Sequence, residues 1–122
     1  MDIRNVLVPM DFSPASRLAL NWGVSLARTL RGKLTIMHVR ETSSVLKHPF
    51  GEEHSEIEKQ HRDQTMRMLS CLLAPEDQDD LDLRIVCKSG DVQKEIAEVI
   101  HDQRADVVVM GTHGRGLFGR WL

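Results

Sequence analysis

The sequence predicts an α/β fold: an open, mostly parallel, twisted sheet with helices on both faces. Three observations predict it. Short β-branched runs alternate with helix-period segments in the order strand, helix, strand, helix, strand, helix, strand. The last strand is almost wholly apolar, as expected where helices cover both faces of a sheet. The 122 residues suffice for one domain, residues 1–122, and for a core that needs no disulfides.

Ile3 to Pro9 is short and β-branched and ends in proline, so it reads as a buried first strand. Ser13 can cap the helix that follows, and Pro14 suits its first position, where a missing N–H costs nothing. Leu18, Trp22, Leu26 and Leu30 recur at helical spacing and are expected to face the core. Gly32 is the expected stop, because glycine adopts a left-handed conformation freely. Lys33 to Arg40 is the second strand, and the polar stretch Glu41 to Ser55 reads as a loop. A long helix is expected over Ser55 to Leu73, with Ile57, Met66, Leu69 and Leu73 inward. Pro75 and the acidic run Glu76 to Asp82 read as a turn with a solvated surface. Leu83 to Lys88 is the third strand. Asp91 caps a helix whose inward residues are Val92, Ile96, Val99 and Ile100. Asp106 to Met110 is the fourth strand, and it runs straight into Gly111-Thr112-His113-Gly114-Arg115-Gly116.

Composition excludes several classes. A formal net charge of −2 gives no general attraction to nucleic acid or to an anionic membrane surface. With 4% aromatic residues and no tyrosine, a base-stacking platform for single strands is not expected. The N-terminus lacks the pattern of a signal peptide and no run is long enough to span a bilayer, so the expected location is the cytoplasm. Cys71 and Cys87 have no metal-type spacing and read as free, buried thiols.

The glycine loop is the main chemical signal. Phosphate oxygens need several N–H donors at close range, and glycines let the backbone wrap an anion. Arg115 can add charge, and His113 either touches a phosphate or fills space. A flexible glycine-rich connection is the other reading of the same residues. The loop is not a Walker loop, because no G-x-x-x-x-G-K-[ST] occurs. It is not a dinucleotide fingerprint either: it reads G-x-x-G-x-G and follows the fourth strand rather than the first. Ligands in open α/β sheets sit at the carboxyl ends of strands, where Pro9-Met10-Asp11 also falls. Asp11 alone could be a loop carboxylate capping nearby N–H groups.

Other residues carry less. Of the 6 histidines, His54 and His61 share a helix face, but no third ligand accompanies them, and no metal is expected. His38, in an apolar strand, reads as a hydrogen-bonded core residue. Arg17 and Arg28 read as surface charges. No triad or G-x-S-x-G elbow is present, so no catalytic residue is assigned.

The strings V-L-V-P-M-D-F-S, S-G-D-V-Q-K-E-I and A-D-V-V-V-M-G-T-H-G-R-G resemble the universal stress protein family, in the same order and over essentially the whole chain. The resemblance implies a Rossmann-like fold of the adenine nucleotide α-hydrolase type. It implies a stress-response regulatory protein that binds ATP (or AMP/ADP), with Mg²⁺ or Mn²⁺ held by the phosphates, and at most slow ATP hydrolysis. Asp11 would contact the nucleoside, with Pro9 and Met10 lining the same pocket and Val39 meeting the base. Gly111, Thr112, His113, Gly114 and Arg115 would face phosphate. Family members that bind nucleotide carry G-x-x-G, a spacer and then G-[ST]. Gly111 and Gly114 match the first half, and the second would fall beyond Leu122. A final helix and fifth strand, which often makes the dimer contact, would fall there too. The expectation is therefore a domain incomplete at its C-terminus, with Val107 to Met110 on an open sheet edge. A homodimer, or self-association through that edge, is expected. The alternative function is a dimeric protein-interaction module of the same fold that binds no nucleotide. A nucleotide-activating enzyme of a related fold would need an S-G-G-type loop after the first strand, which is lacking.

Overall fold

The computed structural model describes residues 3–42 and 51–111, with side chains described from residue 56 in the second stretch. In chain order the elements are β1 (Asn5–Pro9), α1 (Pro14–Leu30), β2 (Lys33–Glu41), α2 (Gly51–Cys71), α3 (Pro75–Asp80), β3 (Asp82–Gly90), α4 (Val92–Asp102) and β4 (Val107–Val108). The strands form one parallel sheet in the order β3-β2-β1-β4. The predicted fold class is what the structure has.

Strand alternation divides the core into two layers. Val6, Val8, Leu34 and Ile36 face α1 and α2, where they pack with Ala19, Leu20, Ala27, Leu69 and Leu73. Leu7, Met37 and Val39 face the other way and pack with Val92, Ile96 and Val99 of α4. Most of these side chains are fully buried, each stabilising the fold by about 1.5–3 kcal/mol relative to exposure.

The cap of α1 is as expected. Ser13 Oγ accepts from the Ser16 amide at 3.1 Å, and Pro14 opens the helix. Its inward face is not. Leu18 and Trp22 are 59% and 67% exposed, while Ser16, Ala19, Leu20, Gly23 and Ala27 are buried. Leu26 and Leu30 pack only partly, at the margin of the core. The cause is close approach of helix and sheet: a Cβ at Gly23 would lie 2.4 Å from Val8 Cγ2. Small residues permit that approach, and a stripe of leucine and tryptophan would hold the helix away. The helix also ends one residue early. Arg31, not Gly32, takes the left-handed cap, at φ 52°.

In α2, Leu69 and Leu73 (just past its end) are buried as expected, whereas Ile57 and Met66 are exposed. Among the described side chains of this helix, those near its carboxyl end are the ones that reach the apolar core. The acidic run forms α3 rather than a plain turn. Arg28 donates to Asp77 and lies 3.6 Å from Asp80, tying α1 to α3. Asp77, before Asp80, holds the Arg28 guanidinium above its ordinary pKa. Arg28 is thus a surface charge with a partner, in the class of exposed pairs that contribute little. Cys71 is exposed and Cys87 half-buried, so neither is the fully buried thiol expected. Burial pushes the Cys87 thiol up in pKa, partly offset by nearby Arg62.

Asp91 caps α4 by accepting from the Lys94 amide at 3.0 Å, and Val92, Ile96 and Val99 are buried with Ile100 partly so. β4 is shorter than Asp106 to Met110. It pairs with β1 at Val6↔Val107 and Leu7↔Val108, and among the described residues it has a sheet neighbour on one side only. Asp106 anchors its start, accepting from the Arg4 and Asn5 amides at 2.9 Å each. The Arg4 and then the Asn5 N–H hold its carboxyl below the ordinary 3.8. A folded pKa below the unfolded one means stability that is present above the unfolded value and lost as pH falls through the folded value. Melting of Asp106→Ala beside the parent should therefore show a Tm deficit near neutrality that narrows in acid. A deficit independent of pH would contradict this role.

Candidate functional site at the carboxyl ends of the strands

β2 lies on one side of β1 and β4 on the other, so the chain reverses its direction of winding at β1. The crevice at the carboxyl ends of β1 and β4 is where an open α/β sheet places its ligand. Pro9 ends β1 there and Met10 follows it, both fully buried. Met10 continues the pairing, donating its amide to Met37 O at 2.7 Å. The Met10 carbonyl lies 2.7 Å from His38 Nδ1, and since a carbonyl only accepts, Nδ1 carries the proton. His38 is thus the hydrogen-bonded residue expected, but its partner places it at the site. The Met10 sulfur accepts from Ser16 Oγ at 3.1 Å, which ties the strand end to the first turn of α1.

Asp11 follows. Its Oδ1 accepts from the Ser13 amide at 2.9 Å. Its Oδ2 is buried with no hydrogen-bond partner among the described residues. Burial pushes the carboxyl up in pKa, but the Ser13 side chain and amide and the Ser16 side chain together outweigh it, and the net shift is downward. Asp11 is therefore a carboxylate at neutral pH with one oxygen used and one acceptor unspent. Phe12 has φ 65°, a left-handed conformation that costs a bulky residue on the order of 1–3 kcal/mol. Its ring lies 5.0 Å from that of His38, centroid to centroid. Strain of this kind persists only where the surroundings hold it, which here are the Asp11–Ser13 turn and the His38 ring.

Gly111 is buried against the start of α1. A Cβ there would lie 2.6 Å from Ala15 C and 2.8 Å from both Ala15 O and Ser16 N. The first glycine of the loop is thereby brought to the helix turn that also holds Met10 and the Asp11 turn. Thr112, His113, Gly114 and Arg115 lie outside the described residues. Val39, near the end of β2, is 6% exposed, and its side chain packs in the α4 layer. The structure so gathers Pro9, Met10, Asp11 and Gly111 at one corner, with Val39 on the next strand.

Phe12, Ser16 and His38 belong to this corner and were not among the expected site residues. His38 had a signal: with Leu34 and Ile36 it shares the face of β2 toward α1 and α2, and it is the polar member near the carboxyl end. Nothing in the sequence marks the backbone of Phe12. Among the described residues no group of three or more His, Cys, Asp or Glu side chains is placed to hold a metal ion.

Residues 2–122 match the model of the universal stress protein family. The chain belongs to that family. Several solved structures share its fold. A protein of the family from Burkholderia pseudomallei is 22% identical with a TM-score of 0.70, covering 91% of this chain and 83% of that one. The universal stress protein UspA from Lactobacillus plantarum is 20% identical with a TM-score of 0.65, covering 99% and 90%. A universal stress protein in complex with cAMP is 19% identical with a TM-score of 0.64, covering 100% and 86%. At these identities the likeness shows the fold. No curated protein matches the sequence. In this universal stress protein, no helix among the described residues is long and apolar enough to cross a membrane.

Proposed function

We propose that this universal stress protein is a regulatory domain that binds an adenine nucleotide at the β1–β4 corner. The ligand is ATP, or AMP/ADP, with Mg²⁺ or Mn²⁺ carried on its phosphates. One observation carries the reading: Asp11 Oδ2 is a buried acceptor on a carboxylate, with no partner among the described residues. A buried acceptor left unpaired costs about 1–3 kcal/mol, more for a charged one. Ribose hydroxyls are donors of the right kind to satisfy it. Gly111 supports the phosphate half, since its backbone lies where a side chain would collide with α1. That a protein of this fold has been crystallised with cAMP agrees with an adenine nucleotide as the ligand class.

Titration calorimetry with ATP and Mg²⁺ tests the proposal. Saturable binding is expected, and Asp11→Asn should weaken it by about ten-fold or more, as a hydrogen bond to a charged group is worth roughly 1.5–3 kcal/mol. Absence of binding at about millimolar ATP would overturn the reading. It would leave the protein-interaction module, which the exposed Leu18 and Trp22 on α1 favour.

A further inference from the structure

We propose a second anion site, for a phosphate monoester group, in the cleft between α2 and the carboxyl halves of β2 and β3. None of Pro9, Met10, Asp11, Val39 or Gly111 lines this cleft, so the site stands apart from the nucleotide corner; His38 forms the wall on that side. Its volume is about 250 Å³, below the roughly 300–1,000 Å³ of drug-sized pockets and suited to a small group.

The lining is cationic. Arg40 from β2 and Arg62 from α2 line it, against one carboxylate, Glu58, while Lys88, in register with Val39, has its side chain on the opposite face of β3. Among the described residues neither guanidinium is in an ion pair. Arg40 Nη1 is buried and has no hydrogen-bond partner there. A buried, charged donor left unpaired is costly, and its geometry awaits an acceptor. Strand alternation explains the placement: Arg40 follows Leu34, Ile36 and His38 on the face of β2 toward α1 and α2, beyond the end of the apolar layer. Thr65 and Ser89 add hydroxyl donors to the same lining. Donors thus come from three elements around one space. A tetrahedral phosphate presents three acceptor oxygens and about two charges to such a set, and guanidinium groups match it in pairs of bonds. A carboxylate has two oxygens in one plane and would leave donors unmatched.

The test is an NMR titration of the ¹⁵N-labelled full chain at low salt with phenyl phosphate and inorganic phosphate, with acetate as comparison. Saturable shifts are expected at the amides of Arg40, Thr65 and Ser89 with both phosphates and not with acetate. Arg40→Met should weaken binding at least about ten-fold, and Gly111→Val, altered where the nucleotide phosphates would lie, should leave it unchanged. Should Arg40→Met fail to fold, Arg62→Gln, altered at the exposed rim of the cleft, is expected to weaken binding as well. Any of three results overturns the proposal: no saturable shift up to about 20 mM phosphate, equal affinity in the Arg40 or Arg62 variant, or acetate binding as tightly as phosphate. Binding lost in Gly111→Val would also overturn it, by placing the anion at the nucleotide corner.

Discussion

Replacing Gly32 with valine should lower the unfolding free energy by about 3 kcal/mol or more, at the upper end of single-residue effects. A Cβ at this position would lie 1.9 Å from Arg4 O, 2.7 Å from Arg4 C and 2.9 Å from Arg4 Cα. These are backbone atoms, so no rotamer change relieves the contact. Arg4 O is also the acceptor for the Lys33 amide at 2.7 Å, the bond beside the Asn5↔Lys33 pair where β1 and β2 come together. Moving Gly32 away therefore strains the entry of the two central strands. Urea unfolding of Gly32→Ala and Gly32→Val measures this. Both should fall, the valine further. A loss within about 0.5 kcal/mol, the range of ordinary surface substitutions, would contradict the account.

Gly111→Val should remove most nucleotide binding while the sheet stays folded. Its Cβ would meet the Ala15 carbonyl group and the Ser16 amide nitrogen at under 3.0 Å, again backbone atoms. The chain after β4 must then swing away from the first turn of α1. Gly111 lies past the last paired residue, Val108, so the strain falls mainly on the site; overpacking of this kind costs about 1–3 kcal/mol in stability. Calorimetry with ATP and Mg²⁺ is expected to give affinity reduced by more than about ten-fold, with circular dichroism unchanged. Parental affinity would show that the start of the glycine loop does not position the ligand.

Elements whose signal is local were legible in the sequence. The strands, the Ser13 and Asp91 caps and the inward face of α4 follow from β-branched runs, short polar caps and the 3.6-residue period. What failed depended on the partner of an element. The face of α1 was misread because large apolar residues suggest burial, whereas a helix lying this close to a sheet selects Ser16, Ala19, Gly23 and Ala27. Ile57 and Met66 sit at apolar spacing on a helix whose described side chains reach the core only near its carboxyl end. Asp77 looked like solvated charge because Arg28 is 49 residues away in sequence. At the site, the sheet order places Pro9, Met10, Asp11 and Gly111 together, as expected of residues that follow β1 and β4. Strand alternation sets the face that Arg40 takes, but the positive φ of Phe12 and the unpartnered, buried Arg40 Nη1 arise from tertiary packing and left no pattern to read.

The central claim is that Asp11 receives the nucleoside of an adenine nucleotide. A crystal structure of this universal stress protein grown with ATP and Mg²⁺ tests it most directly. A ribose hydroxyl is predicted within hydrogen-bond distance of Asp11 Oδ2, with the phosphates running toward Gly111. A nucleotide bound elsewhere, with Asp11 Oδ2 still unpartnered, would contradict it.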